Sequence, residues 1–471
     1  MKKHPKSTAK TTETEDIRIG QLLDVTITTL NEDGFGLATT GTKPLLVSGV
    51  LPGEQAQVRI TFAGRRECFA TVVRILRHVP QRLMTTPCKR LGQCDGCPLM
   101  FMKYPAQLIW KKELVGNILG RYRTLFDVTI HDVLPSPQPV HYRNSAKLVV
   151  SGKFAAPVIG IYRRNSHEVL EIGDCPLHHP LINTIVAAVR EGIRKGKVPI
   201  YSPRNCRGLL RYLVIRVNET ENRAMVVFVT SERSYNEIHH LAKHLQSAVP
   251  EVSVVAQNIN ASTGNVILGE KDHFITRERT LRARIGETAF TISPRSFFQV
   301  NSGSARIIYE KVREWADLKG NEFVVDLYCG IGGISLFLAP SSRKVLGIEV
   351  VEAAVADAAQ NARLNGIDNC EFRAGDAGKL LADLRQDGKL VDLMILNPPR
   401  KGCDEKVLEE AAALAPPRMI YVSCSPTTLA RDLDILSGLG YRTTFVQPVD
   451  MFPQTPHVEN VALLIRTEQQ D

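Results

Sequence analysis

No stretch of the chain approaches the roughly 18 consecutive apolar residues of a membrane span, so no contact with a membrane is expected. Residues 1–16, MKKHPKSTAKTTETED, have no apolar core either. That argues against a signal peptide and for a disordered basic tail on a cytoplasmic chain. No internal repeat is evident, low complexity is confined to the tail, and nothing points to an obligate protein partner. Acid is scarce in one place. Between Arg74 and Arg123 only Asp95 and Glu113 oppose ten lysines and arginines, a local charge of +8 in a chain of net charge +10. Such a segment suits a polyanion, although a solvated basic face looks the same.

With 44% hydrophobic and 23% charged residues, the composition is that of a globular protein. A length of 471 residues exceeds what one core organises and implies about two to four domains. Over 17–77, QLLDVTITTLNEDGFGLAT, PLLVSGVLPGEQAQVRIT and ECFATVVRIL alternate between strands and glycine turns. About five short strands of this kind suggest an OB-like β-barrel, a form that often binds RNA. Residues 78–290 mix strands and helices and carry a cysteine cluster, which reads as a central α+β domain. Over 291–471, strands such as EFVVDLYCG, KVLGIEV and VDLMILNPPR alternate with helices, so a parallel sheet covered on both faces is expected. The fold class is α/β, with a Rossmann-like C-terminal domain.

In DLYCGIGGISL a strand ends, a glycine turn follows and a helix begins. Gly330, Gly332 and Gly333 allow close backbone approach to a ligand. The next strand ends in Glu349, placed to accept hydrogen bonds from both hydroxyls of a ribose. The third ends in Gly375-Asp376-Ala377, on the side an adenine would occupy. NAD sites use the same turn. The fourth ends in LNPPRKG, where the Asn397 amide offers an acceptor and a donor side by side. That matches the N3–H and O4 edge of uracil, and equally an amino group awaiting methylation.

The fifth strand runs out in MIYVSCSPTTLARDL. Cys424 lies at its tip on a proline-stiffened turn, whereas a structural thiol usually packs deeper. Glu459, in PHVENVALL, opens the last strand beside His457 and reaches for the same rim. Cys370 and Cys403 read as structural, Cys329 as a small residue fitted into the glycine turn, and Cys68 and Cys206 as spare. CKRLGQCDGC spaces Cys88, Cys94 and Cys97, and GDCPLHH adds Cys175; four thiolates hold either zinc or an iron–sulfur cluster.

SFFQVN, DLYCGIGG, NPPRKG, SCSP and HVEN, in that order, resemble the RNA uracil-5-methyltransferase family of the TrmA/RumA type. The likeness spans about residues 17–468 and is greatest to the TRAM- and iron–sulfur-containing members that act on 23S ribosomal RNA. It implies a TRAM barrel and an S-adenosylmethionine methyltransferase domain. It implies methylation of uracil C5 in RNA, 23S rRNA ahead of tRNA. Cys424 falls on the family's nucleophile, which adds to C6, and Glu459 on its base. Gln299, Tyr328, Glu349 and Asn397 fall on cofactor-binding positions, alongside Gly330 and Asp376 from the strand ends. A [4Fe–4S] cluster on Cys88, Cys94, Cys97 and Cys175 is implied ahead of zinc. Two residues depart from the family pattern: Asn397 replaces the usual aspartate and Ser425 the usual asparagine. Phe297 and Phe298 are candidates to pack on a flipped base, and HYRNSAK (141–147) to line an RNA channel. An amino-group methyltransferase, an RNA-binding factor with a vestigial pocket and an NAD-dependent redox protein are the rival readings.

Overall fold

A computed structural model describes residues 17–40, 43–94, 96–163, 166–262, 264 and 266–467. The expected tail, 1–16, and Asp95 lie outside the described residues. Among those described, no helix is long and apolar enough to cross a membrane. The chain divides into two compact units.

The smaller unit holds a six-stranded sheet in the order Leu22–Thr26, Gln55–Ala63, Cys68–Arg77, Lys43–Ser48, Gly36–Thr40, Thr29–Leu30. Strand alternation puts Leu45, Val47, Ala56, Val58 and Ile60 on the inner face. Three register shifts along the Gln55–Ala63/Cys68–Arg77 ladder curl the sheet, as a barrel requires. Glu54 is fully buried and accepts Arg82 Nε at 2.5 Å, Arg82 Nη2 at 2.7 Å and the Leu51 amide at 2.8 Å.

Among the described residues the larger unit contains a two-stranded hairpin, Leu281–Ile285 with Thr288–Ile292, and two larger sheets. One has seven strands, ordered Val169–Glu171, Ala156–Tyr162, Ser145–Lys153, Leu210–Asn218, Arg223–Thr230, Val252–Ile259, Lys271–Phe274. Helices Pro180–Gly196 and Asn236–Ala248 pack on one face through Ile182, Ile185, Leu241 and Leu245. The other has eight strands, ordered Cys370–Ala374, Lys344–Glu349, Phe323–Leu327, Leu393–Leu396, Arg418–Ser423, Glu459–Arg466, Tyr441–Val449, Thr129–Ile130. The first five of these are parallel, and the chain reverses its direction of travel across the sheet between Phe323–Leu327 and Leu393–Leu396. Open α/β sheets bind ligands at such a reversal, beyond the carboxyl ends of the strands.

The parallel-sheet expectation holds for five strands and fails at the last one, Glu459–Arg466. Arg418–Ser423 pairs antiparallel with Glu459–Arg466, which pairs antiparallel with Tyr441–Val449. The reason is local: helix Pro426–Gly438 carries the chain across to Tyr441–Val449, and the loop after Val449 then turns it back without a helix, so the last strand fits between the two in the opposite sense. The antiparallel sense has a consequence for the site, since it brings the start of the last strand to the edge where the parallel strands end.

The basic segment is less exposed than its charge count suggests. Lys111 is fully buried, donates to Asp450 Oδ1 at 2.5 Å and to the Phe452 carbonyl at 3.1 Å, and is held below the usual lysine range by burial. A buried, paired lysine is a structural tie and not a phosphate contact.

Candidate active site

A cavity of about 730 Å³ opens at the carboxyl edge of the eight-stranded sheet. All eight residues singled out for catalysis or cofactor binding line it: Gln299, Tyr328, Gly330, Glu349, Asp376, Asn397, Cys424 and Glu459. The strands place them there. Phe323–Leu327 is an unbroken buried run, and its turn then takes positive φ at Tyr328 (+62°) and Gly330 (+56°). At Gly333 a Cβ would meet the Tyr309 hydroxyl at 2.4 Å, so only glycine lets the turn approach the Ser302–Ala316 helix.

Glu349 ends the second strand. Its Oε2 accepts the Gly330 amide at 3.2 Å and its Oε1 the Val351 amide at 3.0 Å, which fixes the carboxylate across the turn. Asp376 caps helix Ala377–Gln386 by accepting the Lys379 amide at 3.0 Å. Asn397 starts a loop that is pinned at several points. Thr428 Oγ1 donates to the Arg400 carbonyl (3.2 Å), and Arg431 Nη2 to the carbonyls of Lys401 and Cys403 (3.1 Å each). The fully buried Asp432 accepts the Cys403 amide (2.8 Å) and the Tyr421 hydroxyl (2.5 Å). Cys403 is structural, as the sequence implies.

Cys424 follows directly on the strand Arg418–Ser423. Ser425 N-caps the next helix, its Oγ accepting the Thr428 amide at 3.4 Å, and Pro426 occupies the first turn. The capping explains why serine is tolerated where asparagine is usual: both are good N-caps. Ser423 pairs with Asn460 in the last antiparallel rung, so Cys424 and Glu459 face one another one step beyond it. Glu459 is buried, and burial pushes its carboxyl up to about 7; the Arg400 guanidinium works in the opposite direction. Burial and the Glu459 charge raise the Cys424 thiol, while Arg400 lowers it by charge and by hydrogen bond. One cation therefore serves both groups.

Three lining residues carry no assignment from sequence. Tyr309 hydrogen-bonds Gln299. Arg400, in the quoted NPPRKG, faces the thiol and the carboxylate. Asp326 opens the quoted DLYCG motif as the penultimate residue of the buried strand Phe323–Leu327. Burial raises its carboxyl to about 7, Ser335 donates to Oδ2 at 2.5 Å, and Oδ1 has no protein partner. A buried carboxylate oxygen aimed at a cavity fits the ammonium end of an aminoacyl group. With the Glu349 carboxylate also in its lining, a cavity of this size suits S-adenosylmethionine.

The paired phenylalanines divide. Phe298 packs on Phe290, ring centroids 5.7 Å apart, whereas Phe297 is 71% exposed at the cavity rim. In HYRNSAK, Tyr142 is buried with its hydroxyl on the Pro453 carbonyl (3.1 Å), and Asn144 donates to the Gln299 carbonyl (3.1 Å). That stretch supports the site from below, and its aromatic ring is not open to a channel. Of the four candidate cluster ligands, Cys97 is buried and Cys88, Cys94 and Cys175 are half-buried. Among the described residues no three His, Cys, Asp or Glu gather closely enough to hold a metal ion.

Residues 103–467 match the family described as tRNA (Uracil-5-)-methyltransferase, and residues 18–73 match the TRAM domain. An RNA methyltransferase of Geobacter sulfurreducens is 60% identical over 95% of this chain and 90% of its own length; one from Oceanobacillus iheyensis is 38% identical over 94% and 96%. The solved Pyrococcus abyssi tRNA (uracil-54, C5)-methyltransferase, in complex with S-adenosyl-L-homocysteine, aligns at a TM-score of 0.77 and 28% identity. It covers 94% of this chain and 100% of its own. With a barrel, a cofactor cavity and a family match over most of its length, the chain belongs to the tRNA (uracil-5-)-methyltransferase family, as an S-adenosylmethionine-dependent RNA methyltransferase with an N-terminal TRAM domain.

Proposed function

We propose that this protein methylates C5 of a uridine in 23S ribosomal RNA through a covalent bond between Cys424 and C6. The observation that carries the reading is the pair just beyond the last antiparallel rung: a half-buried thiol, a buried carboxyl near neutrality and one arginine whose charge acts on both. Uracil C5 is too weak a nucleophile to take a methyl group unaided. The Cys424 thiolate adds to C6, the ring's electron pair moves to O4, and C5 becomes nucleophilic. S-adenosylmethionine supplies the methyl group. Glu459 then removes the C5 proton, and collapse of the enolate expels the thiolate. Arg400 holds negative charge on sulfur during the addition. Asn397 accepts from N3–H as a neutral amide. The exposed Phe297 ring stacks on the flipped base.

An RNA fragment carrying 5-fluorouridine tests this. Fluorine on C5 is not removed as a cation, so the adduct stalls and a shifted band survives a denaturing gel. No band from any ribosomal or transfer RNA fragment, with protein that binds S-adenosylmethionine, overturns the reading in favour of amino-group methylation. Transfer RNA is the second substrate reading, favoured by the tRNA enzyme of Pyrococcus abyssi.

The cofactor half is tested separately. Glu349→Ala removes a charged acceptor, so S-adenosylmethionine affinity measured by calorimetry is expected to fall about tenfold to a hundredfold. An unchanged affinity removes Glu349 from the ribose role.

The four thiols Cys88, Cys94, Cys97 and Cys175 are proposed as ligands of a [4Fe–4S] cluster, on the strength of an all-sulfur donor set and the family likeness. Protein purified without oxygen is expected to carry iron and acid-labile sulfide in equal amounts, and Cys97→Ser to lose both. Zinc without sulfide replaces the cluster with a zinc site; neither metal removes the proposal.

A further inference from the structure

The seven-stranded sheet carries a second, smaller recess of about 60 Å³, remote in sequence from the glycine turn and from Cys424. Tyr162, His167, Tyr201, Tyr212 and Arg211 form its walls. Arg211 is the extra residue of a bulge in the ladder between Leu210–Asn218 and Arg223–Thr230. Bulges re-aim a side chain, and this one directs the guanidinium among aromatic rings. Its carbon lies 4.6 Å from the Tyr201 ring centroid and 5.5 Å from that of Tyr212. Nη1 donates to the carbonyls of Asn260 (2.5 Å) and Ser262 (2.7 Å), which locks the plane.

Arg211 is 5% exposed, its Nε has no protein partner, and the groups that face its charge are two backbone carbonyls and two tyrosine rings. Burying a cation without a counter-charge is costly, so fold stability alone gives no reason for it here. The surroundings share the sign. From Ile200 to Asn218 the chain has four arginines and no acid, and the exposed Arg204 and Arg207 stand on the loop that carries Tyr201.

We propose that this recess docks one unpaired nucleotide of the RNA substrate, at a distance from the uridine that is methylated. Single-stranded RNA is held by stacking its bases on aromatic side chains and arginine planes, with basic groups tracking the backbone. The recess has those parts: Tyr162 and His167, edge to face at 6.0 Å, Tyr201 and Tyr212 around a fixed guanidinium, and Arg204 and Arg207 for phosphate. The inference rests on the RNA-methyltransferase reading but not on the chemistry at Cys424.

The test uses the full-length protein, a 23S ribosomal RNA transcript and a transfer RNA transcript, with affinity read by fluorescence anisotropy. A Tyr162→Ala/Tyr201→Ala protein is expected to bind the preferred transcript about tenfold more weakly, with S-adenosylmethionine affinity unchanged. Ultraviolet cross-linking of the wild type is expected to join RNA to the peptide containing Tyr162 or Tyr201. Unchanged affinity together with no cross-link to either peptide overturns the proposal. If the double variant loses S-adenosylmethionine binding, Tyr162→Ala alone, at an exposed strand end, gives the same reading. A wild type that binds RNA but methylates no uridine fails the proposed reaction while leaving the docking result to stand or fall by itself.

Discussion

Cys424→Ser is expected to lower methylation of uridine C5 by at least about 10⁴-fold, since a nucleophile that splits one difficult step into two has no substitute among its neighbours. Serine's hydroxyl stays protonated where a thiol ionises, and Arg400 has too little to stabilise. The cavity should otherwise be intact. Cys424 is only half-buried, and its turn is held by Ser425 at the helix N-cap and by Ser423, whose Oγ donates to the Ser425 carbonyl at 3.1 Å. S-adenosylmethionine binding, carried by residues at the ends of other strands, should match the wild type. The fluorouridine-trapped band should vanish. Methylation at an ordinary rate by the serine protein would mean the thiol does not touch the base. Cys424 would then be a small residue at a strand end, and the amide of Asn397 would become the group to examine.

Much of this site was legible because each strand of a parallel sheet ends at one edge, and the residues that follow the strands are local in sequence. Glu349 is the last residue of a strand, Asn397 and Cys424 are the first after one, and Gly330 and Asp376 follow a strand within three residues. Glu459 was readable as the start of a strand, yet its facing of Cys424 depends on an antiparallel last strand that periodicity does not reveal. Tyr309 escaped notice because it comes from a helix, where a buried tyrosine has the pattern of core. Asp326 was hidden inside a run of buried residues, where only its orphaned oxygen marks it out. Arg400 sat in a quoted motif without a role, since its partners lie on two other strands. The charge count misled at Lys111: a lysine within a basic stretch looks solvated until Asp450, from the far end of the chain, is found beside it.

Glu459→Gln separates methyl transfer from product release. Addition of the thiolate and attack by C5 do not need the carboxylate, whereas loss of the C5 proton does. The glutamine protein is therefore expected to methylate about one uridine per active site and then hold it. Unmodified RNA should give a covalent band, and turnover should fall about 10²–10⁴-fold. The same substitution should stabilise the fold at alkaline pH. Glu459 is buried with its carboxyl raised to about 7. A group raised in the folded state contributes stability that is complete below its unfolded value, near 4.3, and lost as pH climbs through about 7. Glutamine does not titrate. Its advantage is near zero at pH 4 and approaches about 3 kcal/mol by pH 8, if the whole shift reflects burial. Denaturant unfolding at the two pH values measures it. Equal stability at both would place Glu459 in a wetter environment than its burial indicates, and a variant that turns over normally would assign the proton to another base. In the proposed reaction catalysis draws on that instability: a carboxylate kept dry beside a thiol is costly at pH 8 and is poised, for the same reason, to take a proton from carbon.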